Sequence, residues 1–353
     1  MRIIIDLQGA QTGSRHRGIG RYTLSLVKAI VRNKGKHEII LVLNGLFPET
    51  IETIRAEFED VLPQRNIRVW NAPGGVAEID LENTWRRNAS ELIREAFIES
   101  LKPDFIILTT LFEGFGDDFV ASIGSFDQNT PVVVILYDLI PLINIETYLA
   151  DPSTLAWYKN KVEHCKRASL LLSISESSRQ ESIKYLGTEE EAVINISSAA
   201  DEIFRPLDFS LLEQNKLNGK FGLKKSYLMY SGATDYRKNH LMLIKAYSKL
   251  PLSIRSSHQL VIVGGLPDDH RFNFVEHSKK CGLKNDELII TGRVSDHDMV
   301  ALYNLCKAFI SPSWHEGFGL PALEAMKCGK AVIVSNTSSL PEVVDKLEAQ
   351  FDP

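Results

Sequence analysis

Short, unbroken aliphatic runs recur along the chain, and they limit its fold more than any other feature. In the first half they cover residues 2–7, 38–43, 67–71, 105–109, 132–137, 170–174 and 192–196. In the second half they cover 227–231, 260–264, 288–291, 308–311 and 331–335. A continuous apolar run suits a strand covered on both faces, as in a parallel sheet. Longer amphipathic stretches separate the runs, and that alternation predicts α/β units.

With 353 residues the chain is long enough for two domains, each burying its own core. The rhythm breaks at residues 201–207, Asp-Glu-Ile-Phe-Arg-Pro-Leu, and a polar helical stretch follows as far as Gly222. The boundary is therefore set at Pro206, giving domains 1–205 and 206–353. Two doubly wound sheets of similar size, facing each other across a cleft, are the simplest arrangement, with ligands beyond the carboxyl ends of the strands. The last residues follow a short strand with no covering helix. That predicts an incomplete second domain, a piece of a longer protein.

Bulk properties exclude several classes. A 44% hydrophobic and 24% charged composition is ordinary for a globular protein. No apolar run is long enough to span a bilayer, and the start reads as a strand rather than a leader. Cys165, Cys281, Cys306 and Cys328 are scattered, without metal-ligand spacing, so reduced and mostly buried thiols are expected. Sequons at Asn88, Asn195 and Asn336 then carry no weight. A net charge of -5 and the lack of a binding module argue against nucleic acid. Residues 1–37, however, hold eight Lys/Arg and one acid, Asp6.

Chemistry concentrates in residues 311–329, Ser-Pro-Ser-Trp-His-Glu-Gly-Phe-Gly-Leu-Pro-Ala-Leu-Glu-Ala-Met-Lys-Cys-Gly. A strand leads into a loop with Gly317 and Gly319, and a helix is expected to open at Pro321 and close before Gly329. Free N–H groups at such a helix start suit a diphosphate. Glu316 and Glu324 bracket the loop. A diphosphate would repel them, so they are expected to accept from sugar hydroxyls. A second loop, Ser231-Gly-Ala-Thr-Asp-Tyr-Arg-Lys-Asn239, places Arg237 and Lys238 at a helix start. Two cations there oppose the helix dipole, and an anionic ligand would relieve the conflict.

The span from Glu316 to Glu324 resembles the E-x7-E motif of the retaining glycosyltransferases of family 4, which have the GT-B fold of two Rossmann-like domains. The resemblance covers essentially the whole chain. It implies that Glu316 contacts the donor sugar, that Glu324 contacts the nucleotide ribose, and that the N–H groups near Phe318, Gly319 and Leu320 face the donor. Residues 231–239, including Ser231 and Gly232, resemble the family's phosphate-binding loop; its frequent Arg is here Ala233, which shifts the burden to Arg237 and Lys238. Gly18-Ile-Gly20-Arg21 resembles the glycine-rich loop near the reacting phosphate. Tyr137-Asp138-Leu-Ile-Pro141 resembles the His-Asp-Leu motif, with Tyr137 in place of the histidine. A phenol can hydrogen-bond a sugar but cannot shuttle protons at neutral pH. Residues 173–177 resemble the Ser-Glu-x-Ser turn, and 201–206 the domain-closing segment.

The resemblance further implies transfer with retention, without a metal or other cofactor, the departing diphosphate taking the acceptor's proton. Asp296-His-Asp298 is a D-x-D, the metal signature of another fold, but Ser295 before it reads as a helix cap with an acidic first turn. Asp117-Asp118 and Asp268-Asp269 are expected to be solvated loops. The finest likeness is to bacterial mannosyltransferases of O-antigen synthesis, implying GDP-mannose as donor and a glycan or lipid-linked glycan as acceptor. A helix over residues 19–32 would put Arg21, Lys28 and Arg32 on one face and Ile19, Tyr22, Leu26 and Ile30 on the other. Its basic face could meet an anionic membrane, which places the protein in the cytoplasm, at the inner membrane's cytoplasmic face; a merely solvated face is the plainer alternative. A non-catalytic donor-binding module and a nucleotide-sugar epimerase are the rival functions.

Overall fold

A computed structural model describes residues 1–16 and 18–353. The expected strands are present. The first unit carries β1 (Arg2–Asp6), β2 (Glu38–Asn44), β3 (Ile67–Trp70), β4 (Phe105–Leu108), β5 (Val132–Leu136), β6 (Leu170–Ser173) and β7 (Val193–Asn195). The second carries β8 (Ser226–Ser231), β9 (His258–Val263), β10 (Leu288–Ile290), β11 (Ala308–Ser311), β12 (Ala331–Ser335) and β13 (Gln350–Phe351). Every pairing between these named strands is parallel.

In the first sheet the order is β3-β2-β1-β4-β5-β6-β7. Ile4 and Ile5 are neighbours on opposite faces of β1, yet both are fully buried. Helices must therefore cover both sides, as the continuous runs require. One of them, Thr84–Ser100, is fixed by a charge rather than by apolar packing alone. Its Arg94, 1% exposed, donates from Nε to Asp6 Oδ2 at 2.6 Å at the end of β1, and Gln8 donates to the same carboxylate. A buried carboxylate left without such donors would be costly.

The second sheet has the order β10-β9-β8-β11-β12-β13. Its core gathers Tyr227, Met229, Val261, Leu302, Tyr303, Phe309, Ala325 and Val334. Ala200 and Phe204 belong to the same core, Phe204 with no exposure. The chain therefore divides between Ser197 and Ser198, upstream of the boundary expected at Pro206. Burying Phe204 contributes about 2–3 kcal/mol, enough to hold this segment on the second sheet.

Strand order reverses between β1 and β4 in one sheet and between β8 and β11 in the other. At such a switch point, loops leaving adjacent strand ends diverge and open a crevice.

Candidate functional site

The crevice of the second sheet is framed by the loops after β8 and β11. The two are tied by their backbones, with Trp314 N–H donating to Arg237 O at 2.8 Å. In the first loop Asp235 accepts from the Arg237 N–H at 3.0 Å and starts a tight turn, Tyr236–Lys238. Asn239, with φ 55°, then leads into helix His240–Ser248. The turn aims both cations at the second loop.

There they meet Glu316. Lys238 Nζ donates to Oε1 at 2.5 Å and to Oε2 at 2.7 Å; Arg237 Nη1 donates to Oε2 at 2.9 Å and to His315 O at 2.6 Å. Ser313 adds a third donor, and a fourth hydrogen bond, to the carboxylate at 2.7 Å. Burial alone would raise the pKa of Glu316, but the two cations outweigh it and hold the acid down to about 2. The dipole conflict expected at Arg237 and Lys238 is thus relieved within the protein, by the carboxylate expected to contact the donor sugar. Asp235 also lies against Arg237, its Oδ2 3.5 Å from Nε, so two cations balance two acids, and the crevice offers an anionic ligand positioned guanidinium and ammonium donors.

Ser338 and Ser339 fix the backbone of this loop. Glu316 N–H donates to Ser338 Oγ at 2.9 Å, and Ser339 Oγ donates to Glu316 O and Phe318 O at 2.9 and 2.8 Å. Gly319 has φ 105° and caps helix Leu320–Lys327, which begins one residue before Pro321. A Cβ there would sit 2.7 Å from Leu340 Cδ2, so both conformation and space demand glycine.

Glu324, in that helix, is 9% exposed and accepts from the Tyr303 hydroxyl at 2.9 Å. Tyr303 in turn lies 2.7 Å from Ser231 Oγ at the end of β8. The hydroxyl of Ser231, a residue expected in the donor-binding loop, is engaged in this buried chain. Glu316 and Glu324 therefore have separate surroundings: two cations and Ser313 for one, the Tyr303 hydroxyl for the other.

The candidates of the first unit follow β1 and β5. Gly18 and Gly20 are not in a loop; they form the first turn of helix Gly18–Arg32. A Cβ on Gly20 would overlap the backbone of Ser14 and Arg15, so its smallness serves close packing of the preceding turn. Tyr22, Thr23, Val27 and Val31 are this helix's buried face, while Ile19, Leu26 and Ile30 are half-buried. Lys28 of the expected basic face is paired with Glu57. Tyr137, after β5, bonds its hydroxyl to Thr23 Oγ1 at 2.7 Å and meets Tyr22 edge-on at 5.8 Å between ring centres. Burial pushes its phenol well above the usual range, so it stays protonated. Asp138 accepts from the Ile140 N–H at 3.1 Å and shapes the turn. Ser175 caps helix Glu176–Glu181, and Ser178 Oγ reaches Tyr137 O at 2.8 Å.

Other acids are structural. Ser295 accepts from Asp298 N–H and caps helix Asp296–Leu305; Asp298 also takes Lys220 at 2.7 Å. Asp118 is not solvated as expected: it is half-buried and accepts from Val76 N–H at 2.7 Å, closing a loop. Asp268 and Asp269 are exposed, but they open helix Asp268–Lys280 rather than lie in a loop. Among the described residues no cluster of His, Cys, Asp and Glu could hold a metal. The four thiols are free, three of them buried.

The residues not anticipated are Tyr303, Ser313, Ser338 and Ser339, and the pair Tyr236–Trp314. Those two rings lie 4.7 Å apart beside Arg237, Tyr236 being 73% exposed. An aromatic inside the loop 311–319 was visible; its partner across the crevice was not.

The family described as "Glycosyl transferases group 1" matches residues 213–351. The chain is 37% identical to the Escherichia coli "Serotype-specific mannosyltransferase WbdA" over 354 aligned positions, covering 100% of this chain and 42% of that protein. It is 34% identical to the E. coli "O-antigen chain mannosyltransferase B", over 55% of this chain and 50% of the relative. The chain thus spans half or less of the length of these curated relatives. Its fold resembles that of Anabaena Alr3699/HepE in complex with UDP, with a TM-score of 0.68 at 19% identity over 100% of this chain and 85% of the other. WaaG, a glycosyltransferase of lipopolysaccharide biosynthesis, gives a TM-score of 0.64 at 14% identity, over 100% and 85%.

Proposed function

Because the chain belongs to the group 1 glycosyltransferases, with the GT-B arrangement of two Rossmann-like units, we propose that it transfers mannose from GDP-mannose to a glycan in cell-surface polysaccharide synthesis. The observation that carries this reading is the meeting of Arg237, Lys238 and Glu316 between the loops after β8 and β11. The positioned donors of Arg237 and Lys238 suit the donor diphosphate, and a carboxylate fixed beside them suits a hydroxyl of the attached sugar. Glu324, eight residues on, takes the ribose. The N–H groups near Gly317, Phe318, Gly319 and Leu320 and the glycine at Gly232 let the donor approach the backbone closely. Mannose and an O-antigen acceptor rest on the names of the two E. coli relatives.

Bond breaking at the sugar's anomeric carbon leaves negative charge on the diphosphate. Arg237 and Lys238 stabilise that charge, and their positions are fixed before the reaction begins. The acceptor hydroxyl gives its proton to the departing phosphate as its oxygen bonds the same face of the sugar, so configuration is retained. No side chain need act as base, and no metal is required. A lipid-linked acceptor at the inner membrane's cytoplasmic face fits the basic start of the chain; among the described residues, no helix is long and apolar enough to cross a membrane.

Incubation with radiolabelled GDP-mannose and a mannosyl oligosaccharide tests the reading. A labelled, extended product with retained configuration is expected. Donor binding without turnover would instead support a non-catalytic module, a reading favoured by one observation: the Tyr137 hydroxyl is already engaged by Thr23. Release of free or altered sugar nucleotide without acceptor would indicate an epimerase.

A further inference from the structure

We propose that Tyr303 is a positioning residue that sets the site's preference for a ribonucleotide, by locking Glu324 through the chain Ser231–Tyr303–Glu324. The inference rests on the ribose role given to Glu324 above.

Tyr303 belongs to helix Asp296–Leu305 and is fully buried. Phe204 meets its ring edge-on at 5.7 Å, and Phe309 packs on it at 5.8 Å. Both phenylalanines are also fully buried, so the ring has one position and its hydroxyl one location. The hydrogen-bond directions follow from chemistry. An ionised carboxylate only accepts, so Tyr303 donates to Glu324 Oε2. Its oxygen then accepts from Ser231 Oγ. Burial and the charge of Glu324 both raise the phenol's pKa far above the ordinary value, which keeps that proton in place at any working pH.

The phenol anchors one carboxylate oxygen and thereby limits how the group can turn. A carboxylate so restricted accepts best from a hydroxyl within a narrow range of positions, and removing that hydroxyl from the ligand forfeits a charge-assisted bond. Ser231 ends β8, directly before the phosphate loop at Gly232. The chain therefore ties the ribose acceptor to the strand that carries the phosphate cations, and one rigid element sets the distance between the two ligand groups.

Calorimetric titration of the whole chain with GDP and with UDP identifies the tighter nucleotide; its 2′-deoxy and 3′-deoxy analogues follow. Wild type is expected to prefer the ribonucleotide over one of the two analogues by about tenfold or more. In Tyr303→Phe that preference falls by about fivefold or more, at a melting temperature that still shows a folded chain. Ser231→Ala, which keeps the phenol but removes its own donor, gives a smaller shift in the same direction, and it stands as the test should Tyr303→Phe fail to fold. A merely structural Tyr303 would weaken ribonucleotide and deoxynucleotide equally. An unchanged or increased ratio in these variants overturns the proposal. If Glu324→Ala also leaves the ratio unchanged, or if wild type binds neither nucleotide, the ribose reading itself falls.

Discussion

Lys238 reaches both carboxylate oxygens of Glu316, at 2.5 and 2.7 Å, while Arg237 shares one of them at 2.9 Å. The side chains of Lys238 and Glu316 are 14% and 12% exposed, so solvent screens the pair only weakly. One acid thus organises the two cations that the proposed donor needs.

Glu316→Gln should expose that dependence. It leaves two half-buried cations facing a neutral amide, Arg237 keeping only Asp235, a loss of about 1–3 kcal/mol if the loops do not rearrange. The unfolding midpoint in urea should fall accordingly. Sulfate or phosphate should then restore more stability to the variant than to wild type, because the freed cations can bind it. If anions stabilised neither protein, Arg237 and Lys238 would not form an anion site.

The same contact predicts a pH dependence. Glu316 is held down to about 2 in the folded chain and returns to an ordinary carboxylate value on unfolding. A depressed folded pKa means that the contribution is complete above about pH 4.5 and is lost as pH falls towards 2. The stability gap between wild type and Glu316→Gln should therefore be constant from pH 7 to about pH 5 and narrow below that. A gap that widens on acidification would contradict the assignment.

Gly319→Ala tests the loop rather than its charges. The residue has φ 105°, and the new methyl would press on Leu340, which is fully buried. Strain of about 1–3 kcal/mol is expected, together with weaker nucleotide binding because the start of helix Leu320–Lys327 must shift. Thermal unfolding and a nucleotide titration measure the two effects. A variant of wild-type stability would mean that the loop is not held as described.

The sequence made the sheets legible because buried parallel strands are apolar throughout; Ile4 and Ile5 announce covered faces without any knowledge of partners. The spacing from Glu316 to Glu324 was legible as well, since strand, glycines and helix start are local. Pairings across the chain were hidden. Nothing near Tyr303 reveals that its hydroxyl meets Ser231, 72 positions earlier, and Glu324, 21 positions later. Likewise, nothing local to Glu316 reveals that its carboxylate meets Arg237 and Lys238, 79 and 78 positions earlier. The boundary at Pro206 followed composition, whereas packing of Phe204 moved the division upstream.

Chelation should leave transfer intact. Metal clamps and Lys/Arg clamps stabilise the same developing phosphate charge, and here two cations already face the crevice. With EDTA present, the rate of mannosyl transfer should stay within about twofold of the untreated rate. Loss of activity that Mg²⁺ or Mn²⁺ restores would require a metal in the mechanism.

Tyr137 stands where a histidine was expected, and its contacts decide how much chemistry it can do. Its phenol is bonded to Thr23 at 2.7 Å and kept protonated by burial. A group in that state cannot exchange protons with substrate at neutral pH, whereas general acid–base catalysis contributes about 10²–10⁴-fold where it operates. Tyr137→Phe should therefore keep kcat within about threefold of wild type, with a modest loss of stability from the broken bond to Thr23. A fall in kcat of about a hundredfold, with donor affinity unchanged, would mean that the phenol leaves Thr23 and acts in the transition state. Thr23→Val separates the two cases: it removes the same hydrogen bond while keeping the phenol, so a structural role predicts that both variants lose the same small increment of stability and neither loses its rate.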